Sequence, residues 1–127
     1  MNLRIKTTDS IELKLNELQN WLHLSSKAAV MRIGMSYAIK LEKGNEVDNY
    51  LYDAKDKNGQ DYLRLTVFGN DESFYKYLIE NKINRKIDDD EFFPKMVSYF
   101  MEKGVSLIYS EYKYLNDKNK FINKLLN

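Results

Sequence analysis

The sequence predicts a mainly α fold: one compact helical domain entered through an N-terminal strand-helix-helix unit. Three observations predict it. Apolar residues recur at helical spacing over residues 11–22, 29–41 and 93–115. Strict alternation is confined to a few residues at the start, and polar capping residues stand directly ahead of the periodic stretches.

The elements follow in order. Leu3, Ile5 and Thr7 alternate with Arg4, Lys6 and Thr8, the period of a half-buried strand. Such a strand needs a partner for its backbone, and no complementary strand stands out nearby. Pairing with the same strand of a second subunit is the economical solution and predicts an oligomer. Asp9 or Ser10 can cap a first helix with Ile11, Leu15, Leu18 and Leu22 on one face, broadened by Leu13 and Trp21. Ser25 or Ser26 caps a second helix with an apolar stripe of Ala29, Val30, Ile33, Tyr37 and Leu41. Gly34 and Ala38 allow another helix to come close, and Gly44 is placed as a left-handed C-cap. Strand, helix, tight turn and helix over residues 3–41 is the order of a ribbon-helix-helix unit.

Residues 45–70 are loop-rich, with a turn at Asn58-Gly59 and a β-like or irregular buried stretch from Tyr62 to Phe68. Residues 71–115 form the helical body. Asp71 precedes a third helix with Phe74, Tyr75, Leu78 and Ile79 inward, and Asp88-Asp89-Asp90 cap a fourth starting near Glu91. Pro94 is placed in that helix's first turn, where its missing N–H is tolerated. Gly104 either interrupts the helix or marks a close crossing. The tail, residues 116–127, reads as weakly helical and loosely held. Residues 1–127 are therefore one domain, without repeat or linker.

Composition excludes several classes. Cysteine is absent, which removes disulfides, Cys-ligated zinc and thiol catalysis. Nothing resembles a signal peptide and no apolar run reaches the length of a membrane span, so cytoplasmic is the default and no membrane partner is expected. Asp53, Asp56, Asn58, Gly59 and Asp61 superficially suggest a calcium loop. Registered on Gly59, however, the first position is Ala54 and the twelfth Leu65, and the pattern fails. Asp88–Glu91 suits capping better than magnesium. His23, the single histidine, lacks an oriented partner and suits a helix end. Tyr109, Tyr112 and Tyr114 are read as packing rather than base stacking. No metal, cofactor or catalytic residue is assigned.

The net charge is +1, but it is unevenly spread: seven Lys/Arg against four Asp/Glu in residues 1–43, seven against twelve in 44–93, and six against three in 94–127. In a paired ribbon, Arg4, Lys6 and Thr8 share one solvent face able to track phosphates. Lys27 stands in the first turn of the second helix, where free N–H groups already favour phosphate, and Arg32 follows one turn on. The candidate DNA-binding set is Arg4, Lys6, Lys14, Lys27, Arg32 and Lys40.

Several segments in order carry a family resemblance: LRIKTT, KLNELQNWL, and LSSKAAVMRIGMSYAI with Ala29, Arg32 and Ile33. They continue as DKNGQDYLRLTVFGND, ending in Phe68-Gly69-Asn70, and EKGVSLIYSEYKYL with Gly104. Over roughly residues 3 to 115 the chain resembles the DndE family, small proteins of DNA phosphorothioation systems. The resemblance implies a compact helical tetramer that binds duplex DNA, nicked in preference, through lysine-rich patches. It also implies work beside the other phosphorothioation proteins that replace a non-bridging phosphate oxygen by sulfur. A non-enzymatic accessory is the leading reading. A DNA nickase, a ribbon-helix-helix regulator and a pure scaffold are the competitors.

Overall fold

The computed structural model describes residues 2–43 and 57–127. Its elements are β1 (Arg4–Lys6), α1 (Asp9–Leu22), α2 (Lys27–Leu41), β2 (Asp61–Leu63), α3 (Arg64–Phe68), α4 (Glu72–Ile83), a kinked turn Glu91–Met96, α5 (Val97–Leu115) and α6 (Lys118–Leu126). The protein is mainly α behind an N-terminal strand-helix-helix unit. Among the described residues, no helix is long and apolar enough to cross a membrane.

The strand's partner corrects the sequence expectation. β1 pairs antiparallel with β2 of the same chain, Arg4 opposite Leu63, Ile5 opposite Tyr62 and Lys6 opposite Asp61. Bonds from Thr7 N to Gln60 O (3.0 Å) and Arg64 N to Leu3 O (2.8 Å) extend the ladder at both ends. Backbone need is thus met on this edge without a second subunit. A strand as short as Asp61–Leu63 carries too little alternation to be matched to β1 from the sequence.

α1 is capped by Thr8, not by Asp9 or Ser10. The Thr8 backbone is extended, and its hydroxyl accepts from Ile11 N at 3.1 Å. Asp9 instead uses its own N–H to reach Asn58 Oδ1, at 3.2 Å. Thr8→Ala is therefore expected to cost about 1 kcal/mol, and Asp9→Ala less. Urea denaturation of both variants checks the order, and the reverse order would return the cap to Asp9. Ile11, Leu15 and Leu18 are buried as their spacing predicts, whereas Leu13 points outward at 54% exposure. His23 ends α1 in the left-handed region, at φ 57°.

Ser26 caps α2, its hydroxyl accepting from Ala29 N at 3.2 Å. The predicted stripe of α2 is rotated. Val30 and Tyr37 are buried, but Ala29 and Ile33 are only half-buried and Leu41 is exposed, while Met31, Met35 and Ala38 are in the core. The reason is that α2 is central, packed by α5, α1 and α3, so its buried arc is too wide for one stripe to define. It ends at Leu41, with Glu42 extended. Gly44, Asp53 and Asp56 lie outside the described residues.

Across α2, α5 runs unbroken through Gly104, which makes the close crossing with Gly34 rather than a break. Of the stretch Tyr62 to Phe68, read as β-like or irregular, Tyr62 and Leu63 are the end of β2 and residues 64–68 are the helix α3. On α4, Tyr75 and Ile79 are inward as predicted and Phe74 is not. The helix expected from Glu91 is broken at Phe93, whose extended backbone (φ −128°, ψ 124°) precedes Pro94 and is the conformation a following proline favours. Asp88 caps this turn, accepting from Glu91 N at 2.8 Å. Phe68, Phe92, Phe93 and Phe100 fill the centre.

The tail is helical, as its sequence reads, but it is not loosely held. Asp117 caps α6 by accepting from Lys120 N at 3.0 Å, and Phe121 is buried edge-on against Trp21, ring centroids 5.1 Å apart.

Candidate nucleic-acid interface

In an antiparallel pair, directly opposite residues point to the same side. Ile5 and Tyr62 therefore face the core, while Arg4 and Lys6 project outward with Leu63 and Asp61 beside them. Both cations are exposed, and the outer face of the ribbon carries two positive charges and one negative. Thr8 is not part of that face, being spent on the α1 cap.

Behind the ribbon lies a polar node on Glu12. Its carboxylate accepts from the Thr7 hydroxyl at 2.6 Å, the Tyr62 hydroxyl at 2.7 Å and Lys27 Nζ at 2.8 Å. Burial alone raises the pKa of this carboxyl, but the bonds from Lys27, Thr7 and Tyr62 outweigh it and hold the group below its ordinary value. Lys27 begins α2, as the sequence indicates, yet it leans across to α1 and neutralises Glu12.

The remaining predicted cations sit elsewhere. Lys14 donates to Ser106 Oγ at 3.2 Å and lies 5.8 Å from the centroid of the Tyr109 ring. Arg32 donates to the Val67 carbonyl at 2.7 Å, and Lys40 donates to the Leu125 carbonyl at 3.1 Å. These last two line a groove of about 520 Å³ between α2, α4 and α6. The predicted set is thus divided: Arg4 with Lys6 on the ribbon, Lys14 and Lys27 tied to neighbouring elements, and Arg32 with Lys40 in the groove.

Sequence reasoning missed the lysines of α6. Lys118, Lys120 and Lys124 are all exposed on a helix without a single acidic residue. The signal was present in Asp117 as cap and in Phe121 and Leu125 at i, i+4 spacing.

The acidic run from Asp88 to Glu91 is dispersed rather than convergent. Asp88 caps, Asp89 pairs with Arg64, and Glu91 pairs with Arg85 at 2.7 Å. The Arg64 guanidinium also bonds Glu72 and lies 4.8 Å from the Phe93 ring centroid, so these carboxylates secure the fold. Among the described residues, no group of three or more His, Cys, Asp or Glu side chains could hold a metal ion. Tyr112 packs on Trp21 at 4.5 Å between ring centroids, and Tyr109 packs on Tyr112, whereas Tyr114 is exposed.

Compared with known proteins, residues 4–116 match the family model described as DNA sulphur modification protein DndE. No curated protein and no solved structure matches the chain. α6 lies outside the matched residues.

Proposed function

The chain belongs to the DndE family and so has a role in DNA sulfur modification, and from that premise we propose that it is a non-enzymatic accessory that binds duplex DNA, nicked duplex in preference to intact. It acts in the cytoplasm, as a tetramer, beside the proteins that replace a non-bridging phosphate oxygen by sulfur. The observation that carries this reading is the family match across residues 4–116.

The surface supports the reading in a particular way. Arg4 and Lys6 are the predicted cations that stand exposed together, spaced two residues apart along one face of the ribbon, whereas Lys40, also exposed, lies at the groove on α2. They are the proposed phosphate contacts. Lys14 and Lys27, held by Ser106 and Glu12, add to the local potential without reaching out. A single chain of net charge +1 attracts DNA weakly. Four copies bring four such faces to one duplex, which is what the tetramer contributes.

Binding of the full chain to intact and nicked duplex across a salt series tests this. Affinity is expected to fall steeply with salt. Arg4→Glu with Lys6→Glu is expected to weaken binding roughly tenfold near 0.1 M salt and to flatten the salt slope. A double variant that binds as tightly as the parent, or a parent whose affinity ignores salt, overturns the assignment. Conversion of supercoiled plasmid to nicked circles by the purified protein would replace the accessory with a nickase.

A further inference from the structure

We propose that the groove between α2, α4 and α6 is the docking site for an acidic amphipathic helix of a partner protein. The inference rests on the reading that the chain works beside other sulfur-modification proteins, but not on DNA binding.

Shape comes first. α2 gives the groove one complete face, running Ala29, Arg32, Ile33, Ser36, Tyr37 and Lys40. Those residues follow the i, i+3/4, i+7/8, i+11 rhythm of a helix side, and the span is about 16 Å, the length of a three-turn helix. Tyr75 of α4 forms one wall and Ile122, Leu125 and Leu126 of α6 form the other. Ala29 and Ser36 are small, so a guest helix can approach the α2 backbone closely. The α6 wall comes from residues beyond the family match.

The chemistry then selects the guest. Ile122 and Leu126 remain exposed on the α6 side, an apolar surface that water leaves unsatisfied. Among the described residues, the charged ones lining the groove are Arg32 and Lys40, two turns apart on α2. Each bonds a main-chain carbonyl, and among the described residues neither bonds a carboxylate, so both cations keep donors to spare. The complement is a helix with an apolar stripe toward Ile33, Tyr37 and Ile122, and carboxylates two turns apart toward Arg32 and Lys40.

Two other occupants fit worse. A phosphodiester backbone matches the cations but leaves the leucine and isoleucine wall uncovered. A second copy meeting this face across a twofold axis would bring the Arg32 and Lys40 of one chain against those of the other, like charge on like.

The test places a photo-crosslinking benzoyl-phenylalanine at Ser36 in the full chain, co-expressed with its sulfur-modification partners. The cross-linked peptide is identified by mass spectrometry. Expected is a partner segment with apolar residues at i, i+3/4, i+7 and carboxylates on the flank. That segment, made as a labelled peptide, should bind the parent protein and lose at least tenfold with Lys40→Glu. A peptide with its carboxylates changed to lysine should recover binding to Lys40→Glu. Ser36→Trp, which fills the groove without altering charge, should abolish peptide binding and leave DNA affinity unchanged. Cross-links only to a second copy, to DNA or to nothing overturn the proposal, as does a captured segment lacking carboxylates or indifferent to Lys40→Glu. Loss of DNA binding by the parent protein would count against the accessory reading and leave the peptide result standing.

Discussion

Gly104→Ala is expected to destabilise the protein by about 3 kcal/mol or more, well beyond the effect of the same change at Gly34. A β-carbon on Gly104 would fall on the Gly34 carbonyl oxygen, with Gly34 Cα only 2.9 Å away. Both obstacles are backbone, so no rotamer change relieves the overlap and α2 and α5 must separate. These two helices form the most extensive packing between elements of the protein, and Met31, Met35, Phe100 and Met101 lie buried in the same core. Any separation opens space among them, and buried apolar contacts weaken steeply over such gaps. The change also removes a helix-interior glycine, which favours alanine by about 1 kcal/mol and offsets part of the loss. At Gly34 the nearest atoms to a β-carbon are Val105 N at 2.8 Å, Gly104 C at 3.0 Å and the movable Val105 Cγ2 at 3.0 Å, so backbone is met there too but the overlap is much shallower. Gly34→Ala is expected to cost only about 1 kcal/mol net. Urea midpoints at constant slope read both. Equal losses at the two positions would show that the crossing yields, and that Gly104 is not what sets its distance.

Gly104 also illustrates what the sequence can show. A glycine in the middle of an apolar helical run is anomalous on propensity alone, so interruption and close contact are both readable there, and only the partner's position decides between them. The α1 and α2 helices were legible for the same reason: long periodic runs with Ser26 directly before the second. What stayed hidden depends on contacts distant in the chain. Alternation puts Thr7 on the face of Ile5, yet nothing local shows that its buried hydroxyl donates to Glu12. The β-like character from Tyr62 is readable in sequence, but that β2 is the partner of β1 is visible only in the fold. The helicity of residues 118–126 has a local signal, but that the helix is held to the body rests on Phe121 meeting Trp21 across the length of the chain, which no local period reports.

The charged residues were the least legible. A lysine in the first turn of a helix looks available to a phosphate until its carboxylate partner is known, and Glu12 lies fifteen residues from Lys27 on another helix. In the sequence, Arg32 stands one turn beyond Lys27, and it and Lys40 fall in one candidate set with Arg4. Their surroundings separate them, since a cation over an apolar floor recognises a different partner from one on an open ribbon. Charge count is a property of composition; what a charge can bind is set by the tertiary neighbours that surround and satisfy it.

Glu12→Ala is expected to cost about 3 kcal/mol at neutral pH, and Glu12→Gln somewhat less. The carboxylate joins four elements: Thr7 follows β1, Glu12 is on α1, Tyr62 on β2 and Lys27 on α2. Removing it leaves the Tyr62 hydroxyl and the Lys27 ammonium without this acceptor in a mostly buried position, and the Thr7 hydroxyl with only the longer bond to Gln60 O at 3.3 Å. Lys27 keeps some contact with water, with 20% of its side chain exposed, which holds the estimate to the lower end of what breaking a buried pair costs. The pH dependence follows from the depressed pKa. A carboxyl whose folded pKa lies below its ordinary 4.5 stabilises the fold fully above that value. Its contribution then disappears as pH falls through the folded pKa, where the proton returns. Asp89 and Glu91 are also held low and lose their own contributions in acid, so the parent's pH curve alone does not isolate Glu12. The difference between parent and Glu12→Gln does. It should be largest near neutrality, hold down to about pH 5, and narrow below pH 4. A difference that stays constant into acid would mean that the residue matters for its shape and not its charge. A glutamine variant as stable as the parent at pH 7 would remove the node from the account of the fold and leave Lys27 available to an external phosphate.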